Sequence, residues 1–282
     1  MKHGEASRTA LGAAGHRAAH QRLEKGMVFA DPLALSILGE AEAERAIALA
    51  LEKPERRGLR FFIAMRSRFA EDSCRRALVR GVRQVLVLGA GLDTFAYRLE
   101  AGEGLRVFEL DHPATQADKR RRLDEANIGE PAHVAYVAHD FDHGDMTEAL
   151  KAAGLEPDAP TFVLWLGVTP YLTPDAVFAT LSELARFSGG VEVVFDYANP
   201  PDAIPEEVTR LYHERMAEQV AAQGEPFRGF FDTASLHAQG RRLGYIDIED
   251  LDRSSLVALY LPHIADSQRR GPGGHVVRMS TR

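Results

Sequence analysis

The chain has 282 residues, a formal net charge of −7 at pH 7 and a hydrophobic fraction of 45%. This length fits one large α/β domain, and the negative charge argues against nucleic acid or an anionic membrane as a partner. One cysteine, Cys74, excludes an intramolecular disulfide, and no apolar run has the length of a membrane span or the form of a signal peptide. We expect a cytoplasmic protein, and the sequence is compatible with a monomer or a homodimer.

The first eighty residues predict a loose start followed by helices. We expect residues 1–20 to lack regular structure and a helix to begin at Asp31-Pro32, where apolar residues follow at helical spacing. Residues 59–79 place apolar side chains among arginines, which is typical of an amphipathic helix. An N-terminal helical cap should therefore cover residues 20–80.

Five short apolar segments then alternate with helical patterns. Such alternation implies a parallel, doubly wound sheet that binds its ligand beyond the carboxyl ends of the strands. Acids close the second and third segments, at Asp111 and Asp140, and these two side chains should lie on that edge. The segments are residues 85–88, 106–110, 133–138, 161–166 and 191–196.

The sequence after the fifth segment departs from this alternation. Asn199-Pro200-Pro201 breaks the pattern, and residues 204–223 predict a long amphipathic helix, which we interpret as a lid within an insertion at residues 200–232. A helix is expected at 236–243.

The end of the chain predicts two more strands, at residues 245–248 and 276–280. We expect them to be antiparallel, on the ground that a short connection cannot make a parallel crossover. No internal repeat or linker divides the chain. Residues 1–282 should thus form a single domain: a Rossmann-like, doubly wound, seven-stranded and mostly parallel α/β sheet with an antiparallel C-terminal strand, N-terminal helices and a helical lid.

A glycine turn follows the first predicted strand. Gly89 and Gly91 permit a tight turn and close approach of a ligand, and Asp111, twenty residues after Gly91, can accept both hydroxyls of a ribose. A dinucleotide site would have a third glycine where this chain has Thr94, and Asp93 puts negative charge where a pyrophosphate would rest. The loop therefore favours a phosphate-free, cationic cofactor such as S-adenosylmethionine.

Structural interpretations of the same residues stay open. Asp93 could complement the first turn of a helix instead of touching a ligand. Asp140 could be a turn residue, or it could accept from an adenine amino group while Phe141 packs on the ring. Arg66 could pair with a nearby acid such as Glu71.

Five motifs, taken together, are more specific than the glycine turn alone. They are residues 66–72 (RSRFAED), 87–94 (VLGAGLDT), 97–99 (YRL), 108–113 (FELDHP) and 167–172 (GVTPYL). As a set they resemble the leucine carboxyl methyltransferase family, which includes bacterial polyketide-type O-methyltransferases. The resemblance implies a class I methyltransferase that binds S-adenosylmethionine.

The resemblance also implies roles for individual residues. Arg66 would pair with the cofactor's carboxylate, the glycines would lie under its methionine part, Asp111 would bind the ribose, and Asp140 with Phe141 would bind the adenine. Many relatives carry a glutamate where this chain has Leu166, so only apolar or backbone contact is expected there. The cofactor-binding set is Arg66, Gly89, Ala90, Gly91, Asp93, Asp111, His112, Asp140, Phe141 and Leu166.

The methyl acceptor is expected to be a small molecule that reacts through a carboxylate or hydroxyl oxygen. A carboxylate is already ionised near neutrality, whereas a phenol or alcohol would benefit from a nearby base. His112, Tyr171 and His213 are candidates, but a single His or Tyr is more commonly structural, and no catalytic residue is assigned. The expected acceptor pocket comprises Tyr171, Tyr212, His213, Met216 and Phe230.

Two other functions are compatible with parts of the sequence. One is an NAD(P)-dependent oxidoreductase on a similar fold, disfavoured by Asp93 and Thr94. The other is a non-catalytic protein that binds S-adenosylmethionine, to which Leu166 gives slight support. No metal site is expected, since residues 139–143 (HDFDH) come nearest to a ligand set and do not have zinc spacing.

Overall fold

One mixed sheet organises the chain in a computed structural model. The model describes residues 7–100, 102–139, 145–203, 207–222, 226–269 and 274–282. The strands are β1 Gln84–Leu88, β2 Arg106–Asp111, β3 Val134–Ala138, β4 Thr161–Trp165, β5 Val191–Tyr197, β6 Asp247–Leu251 and β7 His275–Ser280. Their order is β3-β2-β1-β4-β5-β7-β6, and β7 is antiparallel to both of its neighbours. The predicted seven-stranded, mostly parallel sheet with an antiparallel C-terminal strand is confirmed.

The central strands are buried on both faces, which explains their continuous apolar sequences. Val85 and Val87 of β1 belong to one core cluster, whereas Leu86 and Leu88 belong to the cluster on the opposite face. Alternate side chains of a strand point to opposite faces, so a strand covered on both sides needs apolar residues throughout. This is why the strands could be predicted from short apolar runs.

Helices cover the sheet and extend it at the N-terminus. Within the described ranges they are α1 Arg8–Leu23, α2 Glu40–Glu52, α3 Arg57–Val79, α4 Phe95–Arg98, α5 Pro113–Glu125, α6 Met146–Ala152, α7 Pro174–Ala185, α8 Glu207–Ala222, α9 Thr233–Arg242, α10 Arg253–Tyr260 and α11 Asp266–Arg269. Short 3₁₀ turns occur at Pro54–Arg56, Thr169–Tyr171 and Pro201–Ala203. Among these helices, none combines the length and apolar character that a bilayer-spanning segment requires.

The N-terminal region differs from the prediction. Helix α1 begins at Arg8, so the expectation of a loose segment is wrong from residue 8 onward. Its buried face consists largely of alanines such as Ala14 and Ala18. Alanine side chains are small, so their helical spacing is a weak sequence signal. The helix expected at Asp31-Pro32 is also absent, because turns occupy residues 32–38 and α2 begins at Glu40.

The C-terminal strands pair as expected but are connected differently. β6 and β7 are antiparallel, yet α10 and α11 lie between them, so the expected short connection is wrong. The strand predicted at residues 245–248 begins at Asp247 instead. Tyr245 is fully buried and its hydroxyl donates to the carbonyl of Leu181 at 2.9 Å, which places its side chain in the core ahead of the strand.

Candidate functional site

The register of the parallel strands brings their carboxyl ends together. Leu88 of β1 aligns with Leu110 of β2, and Val87 of β1 aligns with Leu164 of β4. The glycine turn, Asp111 and the residues after β4 consequently meet at one edge of the sheet. This is the position where open α/β sheets bind ligands.

A cavity of about 550 Å³ opens at this edge. That volume lies within the range of small-molecule sites. The glycine turn and the ends of β2 and β4 form its floor, and α1 and α3 contribute further walls. Its lining residues are Ser7, Thr9, Ala10, Ala13, Arg17, Arg66, Ser67, Glu71, Val87, Leu88, Gly89, Ala90, Gly91, Leu92, Asp93, Phe95, Asp111, His112, Thr115, Leu164, Leu166, Gly167, Val168, Tyr171, Leu172, Pro226 and Arg228.

Backbone amides fix the Asp111 carboxylate against the glycine turn. The N–H of Gly91 donates to Oδ2 at 2.5 Å, and the N–H of His112 donates to Oδ1 at 2.6 Å. Burial raises the pKa of Asp111, and the two N–H groups oppose that rise. A carboxylate offers about four lone-pair positions, so two acceptor positions remain for hydroxyl groups of a ligand.

The two glycines of the turn are required for different reasons. Gly89 has φ of +63°, and a Cβ added there would lie 2.4 Å from Cγ2 of Val168. Gly91 has φ of +45°, and its added Cβ would lie 3.0 Å from the Cβ of Ala10 on α1. Gly89 thus permits the loop after β4 to pack on the turn, while Gly91 permits α1 to cover it.

The residues after the turn have structural partners as well as cavity contact. Asp93 Oδ1 accepts the backbone N–H of Phe95 at 2.6 Å, which forms an Asx turn ahead of α4, and Asp93 also lines the cavity. Thr94, at the position of a third glycine, is fully buried and its hydroxyl accepts from Arg98 Nε at 3.0 Å. Both interpretations of Asp93 are therefore compatible with the geometry.

Arg66 lines the cavity and pairs with an acid that the sequence did not indicate. Its Nη1 donates to Oδ2 of Asp196 at 2.5 Å, and Oδ1 of Asp196 accepts the N–H of Gly167 at 2.6 Å. The expected partner, Glu71, instead pairs with Arg98 at 2.5 Å. The Nε of Arg66 is buried and has no partner among the described residues. A guanidinium with an unused buried donor can still bind a ligand anion.

A buried charge network that sequence reasoning missed joins α1 to the turn. Arg17 of α1 donates from Nη2 to the carbonyl of Leu92 at 2.6 Å and pairs through Nε with Asp31 at 3.2 Å. Asp31 also contacts Nε of Arg98 at 3.4 Å. The only sequence signal was a basic residue on an alanine-rich segment, because its partners are distant along the chain.

The cavity wall opposite the glycine turn is mostly apolar. It is formed by apolar residues after β4, by Tyr171, and by a segment of residues 226–231 that we call the strap. The N–H groups of Arg228 and Gly229 donate to the carbonyl of Pro170 at 2.7 and 3.1 Å, and the ring of Phe227 packs on Tyr171 with centroids 5.3 Å apart. The strap is thereby fixed to the 3₁₀ turn that carries Tyr171.

The structure gathers most of the predicted site. The predicted residues that line the cavity are Arg66, Gly89, Ala90, Gly91, Asp93, Asp111, His112, Leu166 and Tyr171. Asp140 and Phe141 lie outside the described residues, as do the side chains of Tyr212, His213 and Met216 on α8. Phe230 is not among the lining residues; its ring packs on Phe227 with centroids 6.4 Å apart.

Sequence reasoning also missed the contribution of α1. Ser7, Thr9 and Ala10 line the cavity, and the Ser7 hydroxyl accepts the N–H of Ala10 at 3.1 Å, as an N-cap does. A serine three residues before a helical alanine was the available signal. Within the described ranges, no group of three or more His, Cys, Asp or Glu side chains could hold a metal ion.

Comparison of the sequence with known families and proteins gives consistent matches. The leucine carboxyl methyltransferase family model matches residues 10–185. The chain is 30% identical over 284 aligned positions to a Bacillus subtilis protein named "Putative S-adenosyl-L-methionine-dependent methyltransferase YktD", covering 92% of this chain and 89% of that protein. A Saccharopolyspora erythraea protein of the same description is 39% identical over 127 residues, which is 44% of each chain.

Comparison with solved structures supports the fold. A DUF574-family protein from Streptomyces avermitilis superposes with a TM-score of 0.53 at 14% identity, covering 95% of this chain and 97% of that chain. An O-methyltransferase family protein from Burkholderia thailandensis gives a TM-score of 0.50 at 12% identity, covering 96% of this chain and 72% of that one.

Proposed function

The chain belongs to the leucine carboxyl methyltransferase family and is an S-adenosylmethionine-dependent methyltransferase, and on this premise we propose that it methylates an oxygen atom of a small molecule. The observation that carries the proposal is the charge of the cavity wall after β4. Among the described residues, this wall holds apolar side chains, Tyr171 and Arg228 but no carboxylate.

The residues at the glycine turn fit the cofactor. Asp111, with two acceptor positions left, suits the ribose hydroxyls, and Arg66, with its unused Nε, suits the methionine carboxylate. Gly91 leaves room between the turn and α1 that a Cβ would occupy. Once bound, the cofactor supplies an electrophilic methyl group on sulfonium.

The acids of the cavity are already engaged on the cofactor side. Glu71 pairs with Arg98, Asp93 accepts from Phe95, and Asp111 accepts from the turn. A protonated amine would need a carboxylate in the opposite wall to hold its charge. An oxygen acceptor needs none, and a carboxylate oxygen needs no base because it is ionised near neutrality.

The residues of the protein then position the acceptor and exclude water from the cavity. The strap and the turn at Tyr171 form a fixed wall against which an apolar acceptor can be oriented, and α1 covers the glycine turn on the other side. Positioning of this kind accounts for much of the rate of a bimolecular transfer. The Nδ1 of His112 accepts the N–H of Ala114 at 3.2 Å, so its lone pair is engaged, and we assign His112 no role as a base.

The test is a methylation assay on matched acceptors. Purified protein is incubated with S-adenosylmethionine and pairs that differ only in the nucleophile, such as phenols against anilines and carboxylic acids against carboxamides, including polyketide-like aromatic examples. We expect S-adenosylhomocysteine to form with oxygen acceptors and mass spectrometry to place the methyl on oxygen. Methylation confined to nitrogen would contradict the proposal. Cofactor binding without turnover on any member would also contradict the proposed class of acceptor.

A further inference from the structure

An arginine at the rim of the cavity has no side-chain partner among the residues that the structure describes. Arg228 lines the cavity from the strap and is exposed, and its guanidinium makes no hydrogen bond or ion pair with any described residue. The two other arginines of the lining are engaged: Arg17 with Asp31 and the Leu92 carbonyl, and Arg66 with Asp196. Arg228 is thus the one lining guanidinium, within the described ranges, whose donors are all available.

The backbone of Arg228 is nevertheless held in place. Its own N–H and that of Gly229 both donate to the Pro170 carbonyl, and a Cβ added at Gly229 would lie 2.4 Å from the carbonyl oxygen of Thr169. The preceding ring, Phe227, packs on Tyr171. The guanidinium therefore extends from a fixed backbone next to the aromatic part of the wall.

We propose, on the basis of the proposed function, that Arg228 binds a carboxylate of the acceptor. This carboxylate is a different group from the oxygen that receives the methyl. A guanidinium is a fixed fork of donors that suits a carboxylate. Pairing a guanidinium with the reacting group would neutralise its charge and lower its nucleophilicity, so we assign Arg228 to a second, unreactive group. The acceptor would combine an anionic end at the rim with an aromatic or apolar body against Tyr171.

A graded series of probes tests this assignment. Phenols carrying a carboxylate on a spacer of one to four carbons are compared with their carboxamides, which keep shape and nucleophile but remove the charge. Their binding to the protein saturated with S-adenosylhomocysteine is measured by calorimetry. We expect one spacer length at which the acid binds about tenfold more tightly than its amide, as one charge-assisted hydrogen-bonded pair implies.

Three variants locate the source of that preference. Arg228→Gln should abolish it, Arg228→Lys should keep part of it, and Arg186→Gln, which removes an exposed arginine outside the cavity, should keep all of it. Binding of S-adenosylhomocysteine and of the amides should change less than about twofold in each variant, since Arg228 is assigned to the charged end alone. In the methylation assay, Arg228→Gln should raise KM for the acid more than it lowers kcat.

The outcomes separate the two proposals. Equal binding of acid and amide at every spacer length overturns the anionic acceptor, while oxygen methylation of the amides would leave the proposed function intact. A preference that survives in Arg228→Gln overturns the assignment to this residue. Absence of oxygen methylation in the wild type contradicts both.

Discussion

Among the individual residues of the site, Asp111 is held by a backbone N–H on each of its two carboxylate oxygens. Its carboxylate accepts two backbone N–H groups and so joins the glycine turn to the start of α5. The same atoms carry the acceptor positions for a ribose. One side chain therefore both shapes the turn and binds the cofactor.

Asp111→Asn should weaken S-adenosylhomocysteine binding by about tenfold to a hundredfold. The amide offers one acceptor oxygen, so its NH₂ group must face a backbone N–H, and hydrogen bonds to a charged group are worth about 1.5–3 kcal/mol. Calorimetry measures the effect. Asp118→Asn, which alters an acid paired with Arg121 and Arg122 on α5, is the matched control and should bind normally. Equal losses in both variants would contradict a specific role for Asp111.

Gly89→Ala should destabilise the protein by about 1–3 kcal/mol, through strain at a positive φ and overlap with Val168. Urea unfolding measures the change. Gly102→Ala adds a Cβ with nothing within 4 Å and should be close to neutral. The double variant Gly89→Ala, Val168→Ala should recover the part due to overlap but not the part due to φ; no recovery would mean that Val168 is not the obstacle.

Among the secondary-structure elements, the strands and helix α3 were predictable from the sequence, whereas the positions of α1 and α2 were not. The run Val85 to Leu88 is apolar at every position, because β1 is buried on both faces. Helix α1 packs through small alanines, and the partners of its buried arginine lie far along the chain, so no local sequence pattern predicted this helix. The positions that complete the site, Arg17 and Ala10, therefore remained hidden, whereas the glycine turn and Asp111 were found from spacing.

Arg17→Leu should destabilise the protein by about 3 kcal/mol and loosen α1. The change removes the nearer of two arginine partners from Asp31, which is fully buried, so the carboxylate keeps only the contact with Arg98 at 3.4 Å. Urea unfolding and hydrogen exchange of the α1 amides report the two effects. Arg22→Leu, on the exposed side of the same helix, should be nearly neutral. Adding Asp31→Asn to Arg17→Leu should restore part of the stability, and a further loss would argue against charge as the cause.

For the protein as a whole, helices α1, α2 and α3 form an N-terminal layer in which α1 packs on the other two helices, and this layer holds buried charges such as Arg17, Arg60 and Glu71. Sequence patterns indicated that helices lie there but not how their charges pair, since pairing depends on contacts between distant segments. Glu24 shows this: burial opposes its ionisation, but the ring of His20 at 3.3 Å and two hydrogen bonds from Arg60 outweigh it and lower the pKa of Glu24 to about 2. That carboxylate supports the fold until the pH falls below about 4.5.

His16, on α1, should make the free energy of unfolding depend on pH in a higher pH range than Glu24 does. Burial, together with the positive charges of Arg56, Arg60 and Arg66, lowers its pKa from 6.5 to about 4. Between these values His16 binds more protons in the unfolded chain than in the folded chain, so the contribution of this residue to stability must fall as the pH is lowered from 6.5 toward 4. Since one pKa unit corresponds to about 1.4 kcal/mol, the loss should reach about 2 kcal/mol, allowing for partial exposure.

Urea unfolding of the wild type and of His16→Gln between pH 6.5 and 4.5 measures this contribution as a difference, in which buried carboxyls with a raised pKa, such as Asp111, cancel because both proteins carry them. His16→Gln keeps a polar side chain but cannot gain a proton, so its stability should vary less with pH than that of the wild type, by about the amount attributed to His16. His263→Gln, which replaces an exposed histidine, should follow the wild-type curve. If His16→Gln also follows it, protonation of His16 does not couple the N-terminal layer to pH, and another group must account for any acid sensitivity in this range.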